Sequence, residues 1–255
     1  MRNFKFLLFL TCLFVFTTVN GFAQITKREA LSKFVSAGMA YKDGQYDEAI
    51  TKYNEIIEGG RESGAVYYNL GNSYFRKDDP GRAMLNYGRA KRLIPRDSDL
   101  NFNSRYVSSR VDGYRNGEKM SFLDRTMKSY IEFYTIDEMV MIIIGTIFVI
   151  GIVVLLSLYL NWPRSFGQTT VALLALIAVV YTIGLVWKVQ HARDLAVVVT
   201  AAESYFEPQA DSTVHFKLPE GTKARILRLE GAWAKVRRSD GKVGWVSRDA
   251  LERIE

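Results

Sequence analysis

Two long apolar segments constrain the fold of this chain more than any other feature. Met139–Leu160 and Ser165–Trp187 contain no charged residue, and only four residues separate them. Each segment is longer than the ~20 residues with which a helix crosses ~30 Å of hydrocarbon. The length of the uncharged runs disfavours the alternative, a pair of buried helices in a soluble core. The sequence therefore predicts two membrane spans, residues 138–160 and 165–187, joined by a short loop at residues 161–164.

The amino-terminal segment has the layout of a secretory signal. Basic residues precede an apolar middle, and Gly21 and Ala23 place small side chains just before a cut at Gln24. Cys12, the only cysteine, lies inside this segment. Lipoprotein processing at Cys12 is the alternative, and the short segment before it disfavours that reading. We predict a signal peptide at residues 1–23 and a mature chain without cysteine, suited to an oxidising compartment.

Orientation of the two spans follows from this signal. If the region before the spans is exported, the first span runs inward, the loop is cytoplasmic, and the carboxy-terminal region is exported as well. The positive-inside rule gives no support, because Arg164 alone marks the loop while several basic residues flank the outer ends. We give the signal more weight than these few charges.

Internal repetition organises the region before the spans. Tyr46–Ile57 and Pro80–Lys91 align at a constant offset of 34 residues, which is the period of the tetratricopeptide repeat. The second copy resembles this family at nearly every diagnostic position. Its packing positions hold Tyr67, Leu70, Gly71, Tyr74, Ala83, Tyr87, Ala90 and Pro95. We expect these residues to hold neighbouring helices together rather than to face a partner.

The first copy matches the family less well. Its first helix aligns through Gly38 and Tyr41, which leaves one residue fewer before Ala49 than in the second copy. Two repeats are thus expected within residues 24–96. By family geometry, the concave face that remains for a partner protein is lined by Phe34, Tyr41, Ala65, Tyr68, Asn72 and Phe75.

Residues 97–137 are expected to complete the helical region. Two repeats leave apolar surface uncovered, since about three units are normally needed. A capping helix behind Ser98 supplies a helical stripe of Leu100, Val107, Val111 and Tyr114. A second, amphipathic helix carries Phe122, Met127, Tyr130, Phe133 and Tyr134. We predict that this second helix lies on the membrane surface, with a plain linker as the alternative.

Residues 195–255 change to short apolar runs separated by turn residues, which predicts a small all-β barrel. This region resembles the bacterial SH3-like domain through Gly221, Val236, Gly241 and the run Gly244-Trp245-Val246. Trp245 is expected to pack in the core of so small a barrel. Trp233 has two readings that stay open: packing, or stacking on a cell-wall peptide or sugar, which some members of the family bind.

No constellation for catalysis is present in the sequence. The two histidines, His191 and His215, are far apart in the chain, and the mature chain has no cysteine for a thiol nucleophile or a zinc site. No glycine-rich phosphate loop occurs, and no dense basic tract indicates nucleic acid. We therefore expect no catalytic residue, no metal and no cofactor, and an enzyme is the least favoured of three hypotheses.

The order of these parts resembles the tetratricopeptide proteins of the Bacteroides aerotolerance (Bat) operon, of the BatE type, most clearly across Tyr67–Leu100. The fold class implied is a multidomain membrane protein: all-α tetratricopeptide repeats, a two-helix transmembrane hairpin and a small all-β SH3-like barrel. The resemblance implies a non-enzymatic scaffold of the bacterial inner membrane with both terminal domains in the periplasm.

Its implied partners are membrane-bound von Willebrand factor A-domain proteins of the same operon and, indirectly, a MoxR-type ATPase. The implied process is aerotolerance or envelope stress. The competing hypothesis is a sensor or anchor that holds peptidoglycan through the SH3-like domain.

Overall fold

A computed structural model describes residues 25–111, 121–159 and 163–254, and at residues 123, 124 and 164 the backbone alone. Within these residues the chain forms eight α-helices followed by a seven-stranded sheet. The predicted signal peptide, the predicted stripe residue Tyr114 and the centre of the predicted loop lie outside the described residues.

Five helices build the amino-terminal region, and capping side chains set where they begin. The helices are α1 (Lys27–Lys42), α2 (Tyr46–Glu58), α3 (Gly64–Arg76), α4 (Pro80–Leu93) and α5 (Ser98–Arg110). The side chain of Ser63 accepts a hydrogen bond from the amide of Val66 at 3.2 Å, before α3. Asp79 and Asp97 cap α4 and α5 in the same way, at 2.8 Å each. Such caps satisfy amides that the first helical turn leaves without a partner.

Helices α1–α2 and α3–α4 form two hairpins whose packing positions repeat at 34 residues in both helices. Ala37 and Ala40 of α1 are 0% and 4% exposed, and they lie 34 residues before Gly71 and Tyr74. The alignment through Gly38, which leaves one residue missing, is wrong, because Gly38 is only partly buried and Ala37 packs in its place. Two alanines thus carry the packing for which the second copy uses a glycine and a tyrosine.

The second hairpin is held by a close approach of α3 and α4 at Gly71. A Cβ atom at Gly71 would lie 2.7 Å from the ring of Tyr87 on α4, closer than real Cβ contacts. Of the residues expected to pack, Tyr74 is half-buried and the others are buried: Tyr67, Leu70, Gly71, Ala83, Tyr87, Ala90 and Pro95. Helix α5 covers α4, and its Leu100 and Val107 join the same core.

Three further helices follow: α6 (Phe122–Phe133), α7 (Ile136–Tyr159) and α8 (Arg164–Arg193). Helix α7 and residues 165–193 are each long and apolar enough to cross a membrane, with mean hydropathies of 3.1 and 2.4. The two helices pack side by side and expose most of their apolar side chains. Helix α6 packs against α8, where the buried side chains of Ile131 and Met139 both lie beside Gly184.

The carboxy-terminal region is one antiparallel sheet. Its strands are β1 (Leu195–Val198), β2 (Ala202–Tyr205), β3 (Val214–Leu218), β4 (Lys223–Glu230), β5 (Trp233–Arg238), β6 (Val243–Ser247) and β7 (Leu251–Arg253). They lie in the order β3-β2-β6-β5-β4-β1-β7. Alternate side chains enter one core, as the two-residue period of a strand requires: Phe216, Leu218, Ile226, Val236 and Val246 are among them.

The sheet docks directly on helix α4. Val197 of β1 and Ile254, just after β7, belong to the same buried cluster as Tyr87 and Leu100 of the helical region. A Cβ atom at Gly81 would lie 2.8 Å from the carbonyl oxygen of Val199, so the two backbones nearly touch.

Polar contacts at the edge of this interface fix the orientation of the sheet. The guanidinium of Arg89 lies 2.9 Å from the carboxylate of Glu252, and Arg92 donates to the carbonyl of Ile254 at 3.1 Å. The helical region and the sheet therefore share one buried cluster at their interface, in addition to the core within the sheet.

Candidate functional site

The predicted partner-facing residues of α3 and the aromatic residues of α5 share a surface that we call the groove, and a polar network joins α3, α4 and α5 at its floor. The hydroxyl of Tyr87 donates to the side-chain oxygen of Asn72 at 2.8 Å. The amide of Asn103 on α5 donates to the same oxygen at 3.0 Å and to the hydroxyl of Tyr68 at 3.0 Å. Asn72, predicted to face a partner, is therefore already used to join three helices. Burial raises the pKa of the Tyr87 hydroxyl, so it stays a neutral donor.

Aromatic side chains form the wall of this groove. The ring of Phe75 packs edge-on against that of Tyr106, with 5.9 Å between the ring centres. The ring of Phe102 stacks on that of Tyr106, with 6.5 Å between the ring centres. The guanidinium of Arg110 lies 4.5 Å from the centre of the Tyr106 ring. Phe102 is 62% exposed and Tyr106 is 41% exposed. Large apolar rings held at this exposure are typical of protein-binding surfaces.

The other end of the groove is built by α1 and α2. The ring of Phe34 packs edge-on against that of Tyr53, with 5.7 Å between the ring centres, and the rings of Tyr41 and Tyr46 pack in the same way at 5.5 Å. Both predicted residues thus use part of their surface within the fold and are half-buried. Ala65 is exposed, and Leu31, which the sequence analysis did not select, is 62% exposed.

The 34-residue offset could have identified the missed residues. Phe34, Tyr68 and Phe102 are spaced by 34 residues, so one aromatic position repeats in α1, α3 and α5. Tyr106 likewise lies 34 residues after Asn72, and Leu31 lies 34 before Ala65. We call the series Phe34, Tyr68, Phe102 and Tyr106 the aromatic ladder.

A cleft of about 280 Å³ continues the groove to the edge of the sheet. It is lined by Phe75, Asp78, Pro80, Val107, Arg110, Val111, Pro219 and Glu220. Because Pro219 and Glu220 come from the turn between β3 and β4, the docked sheet forms one wall of the cleft. A segment bound along the aromatic ladder would therefore meet both the helices and the sheet.

The sheet carries a second aromatic surface. Trp233 is half-buried and meets the ring of Tyr205 edge-on at 5.6 Å. Trp245 is 7% exposed, but it alternates with Val246 and therefore lies on the face opposite the sheet core. The ammonium of Lys235 covers its ring at 5.7 Å. Trp245 is therefore buried, as the sequence predicted, and its ring packs on the face of β6 opposite Val246.

Elsewhere on this domain, the side chain of Phe206 is 58% exposed. Its ring packs against that of His215, with 4.2 Å between the ring centres. The other histidine, His191, stacks on Trp187 near the end of α8. Across residues 25–111, 121–159 and 163–254, no group of three or more His, Cys, Asp or Glu side chains lies close enough to hold a metal ion.

Residues 205–252 match the family of the bacterial SH3 domain. The match covers β3 to β6 with the end of β2 and part of β7, and it includes both Trp233 and Trp245. No curated protein matches the chain.

Proposed function

We propose that this chain is a non-enzymatic scaffold, anchored in a membrane by α7 and α8, that binds a partner protein through the aromatic ladder. The aromatic ladder is the observation that carries the proposal: Phe34, Tyr68 and Phe102 repeat one ring position on the alternate helices α1, α3 and α5. A polar network of Asn72, Tyr87 and Asn103 lies beside these rings. Burial of such rings supplies most of the binding energy at protein interfaces.

The helical hairpins are best explained as tetratricopeptide repeats, in which first helices line a concave surface and second helices face outward. On this reading α1, α3 and α5 line the groove, and the 34-residue offset follows from the family period. The resemblance to BatE-type proteins then suggests the partner: a membrane-bound von Willebrand factor A-domain protein, linked to a MoxR-type ATPase on the cytoplasmic side. Both terminal domains would lie in the periplasm of an inner-membrane protein that acts in aerotolerance or envelope stress.

Substitution of the exposed groove residues tests this function. We expect Leu31→Ala with Phe102→Ala to lower recovery of a crosslinked partner from membranes by roughly tenfold or more, since exposed aromatic anchors dominate such interfaces. Both side chains are 62% exposed, so the melting temperature should change little. The matched control is Phe206→Ala, an equally exposed ring on the sheet. Unchanged recovery by a folded double variant would refute the groove.

A second candidate function is favoured by the SH3-domain match together with the partly exposed Trp233–Tyr205 pair. Indole and phenol rings of this kind stack on sugars and peptides, so the sheet would hold peptidoglycan. Because Val197 and Ile254 pack on the helical region, the test uses the full chain in detergent rather than the isolated sheet.

For the wall-binding candidate we expect Trp233→Ala to reduce sedimentation of the full chain with purified peptidoglycan by roughly tenfold, the effect of losing one aromatic anchor. Phe102→Ala, in the groove, is the control and should sediment like the unaltered chain. If the unaltered chain itself stays in the supernatant, wall binding is excluded and the scaffold function stands alone.

A further inference from the structure

Four lysines from four separate elements meet where the helical region, the sheet and the apolar helices come together. They are Lys91 of α4, Lys128 of α6, Lys188 of α8 and Lys223 of β4. Among the side chains that the structure describes, Glu132 of α6 is the one carboxylate paired with these lysines, 3.1 Å from Lys91 and 3.9 Å from Lys128. The nearby Glu138 is held by Arg96, which donates to it at 3.0 Å. The cluster is therefore strongly positive.

Lys223 has no ion pair within the part of the chain that the structure describes. It lies opposite Val197 in the β1–β4 register, and Val197 packs against the helical region. Lys223 therefore points to the same side, towards α4 and α6, where it interacts with Lys91, Lys128 and Glu132. The ammonium of Lys188 makes hydrogen bonds with the backbone. It donates to the carbonyl of Ile131 at 2.9 Å and to the carbonyl of Tyr134, at the end of α6.

This arrangement costs stability. The pKa of Lys223 is lowered to about 8, mainly by burial and also by the charges of Lys91 and Lys128, while Glu132 acts in the opposite direction. A lysine with a lowered folded-state pKa destabilises the fold at every pH below that value. The penalty disappears as the pH rises towards the unfolded pKa of ~10.4. Unfavourable groups of this kind are expected at functional sites, and an anion bound among the lysines would offset the penalty.

The position of the cluster identifies the kind of anion. Lys188 directly follows the uncharged segment of α8, and α7 begins two residues after Tyr134. Three tyrosine rings pack edge-on against one another near the cluster, with 5.5–5.8 Å between ring centres: Tyr130, Tyr134 and Tyr181. Aromatic side chains are enriched at the interface between a bilayer and water. With α7 and α8 in a membrane, the cluster lies at the depth of the lipid phosphates.

We propose that Lys91, Lys128, Lys188 and Lys223 bind a phosphate group, and that this phosphate belongs to the headgroup of an anionic phospholipid. The sheet contributes Lys223 and the helices α4 and α6 contribute Lys91 and Lys128, so the lipid would tie the docked sheet to the membrane surface. This inference rests on the proposed membrane anchor, and it does not depend on the groove.

The test compares Lys128→Gln with Lys223→Gln, introduced together, against the unaltered full chain. Within the described part of the chain Lys128 makes only the ion pair with Glu132 at 3.9 Å and Lys223 makes none, so the contacts of Lys91 and Lys188 that hold the elements together remain. Native mass spectrometry counts the phosphatidylglycerol retained after purification from mixed phosphatidylglycerol and phosphatidylcholine. We expect retention to fall by roughly tenfold or more, since each lysine near an anionic surface contributes appreciably to binding. The charge-matched control is Lys217→Gln with Lys242→Gln, in β3 and in the turn between β5 and β6.

Two further readouts separate the explanations. The variant should melt at the same or a higher temperature, because it removes an ammonium whose burial is unfavourable, and a purely structural role predicts the reverse. Inorganic phosphate added to the unaltered chain in detergent should not raise the melting temperature as phosphatidylglycerol does. An equal rise overturns the lipid as the source of the phosphate. Equal phosphatidylglycerol retention by the variant and the unaltered chain overturns the site. Resistance to alkaline extraction reports the anchor separately.

Discussion

Replacement of Gly71 by alanine should destabilise the helical region by about 2 kcal/mol, whereas the same replacement at Gly38 should stabilise it by up to about 1 kcal/mol. At Gly71 the new Cβ would lie 2.7 Å from the Tyr87 ring and 3.2 Å from the carbonyl of Ala83. That ring is 1% exposed and its hydroxyl is bonded to Asn72, so it has no free space into which to move.

Gly38 is the matched control because it occupies the equivalent helix of the first hairpin. The nearest atom to a Cβ there is the hydroxyl of Tyr53 at 3.9 Å, an ordinary contact. Alanine then gains the helix propensity that glycine lacks. Thermal unfolding followed by circular dichroism measures both variants, and 1 kcal/mol corresponds to about 4–8 °C for a region of this size. If both variants melt alike, the close approach of α3 and α4 does not hold the hairpin together.

The second large effect is expected at Gly81, where valine should detach the sheet from α4. A Cβ at Gly81 would lie 2.8 Å from the carbonyl oxygen and 2.9 Å from the Cα of Val199. These are backbone atoms of a hydrogen-bonded segment, so they cannot turn aside as a side chain can. An overpacking cost of about 2–3 kcal/mol lowers the docked fraction by tenfold or more once docking is marginal.

Crosslinking between cysteines at positions 89 and 252 measures docking, because the native side chains there form an ion pair at 2.9 Å. In a Cys12→Ser background, Gly81→Val should reduce the yield with a short bismaleimide by roughly tenfold. Gly88→Ala is a graded control, since its Cβ would meet only the side chain of Ile254. Full crosslinking in Gly81→Val would show that the two domains do not depend on this contact.

Much of the local structure could be predicted from the sequence, because local patterns report packing within an element. The 34-residue offset predicted the residues that pack between α3 and α4, including Gly71, Ala83 and Tyr87. Uncharged length predicted two helices able to cross a membrane, and turn spacing predicted the SH3-type sheet. The sequence alignment of α1 was off by one residue because Gly38 and Tyr41 match the small and large residues that the family has at two packing positions. In the structure Ala37 and Ala40 occupy those two positions.

Contacts between elements could not be predicted in this way. Val197 and Ile254 look like ordinary strand residues, and nothing in the sequence indicates that they enter the core of the helical region. The lysine cluster joins residues as distant as Lys91 and Lys223, so no spacing rule could find it. Asn72 has the offset of a groove residue, yet its oxygen is used by Tyr87 and Asn103, which only the tertiary structure reveals.

The central claim is that the aromatic ladder is the surface that holds a partner protein. Its most direct test replaces Phe102 with a photo-crosslinking amino acid in the full membrane-bound chain, with Phe206 replaced in the same way as a control of similar exposure. We predict one discrete protein adduct from position 102 and none of that size from position 206. The same adduct at both positions, or no protein adduct at position 102, would contradict the claim.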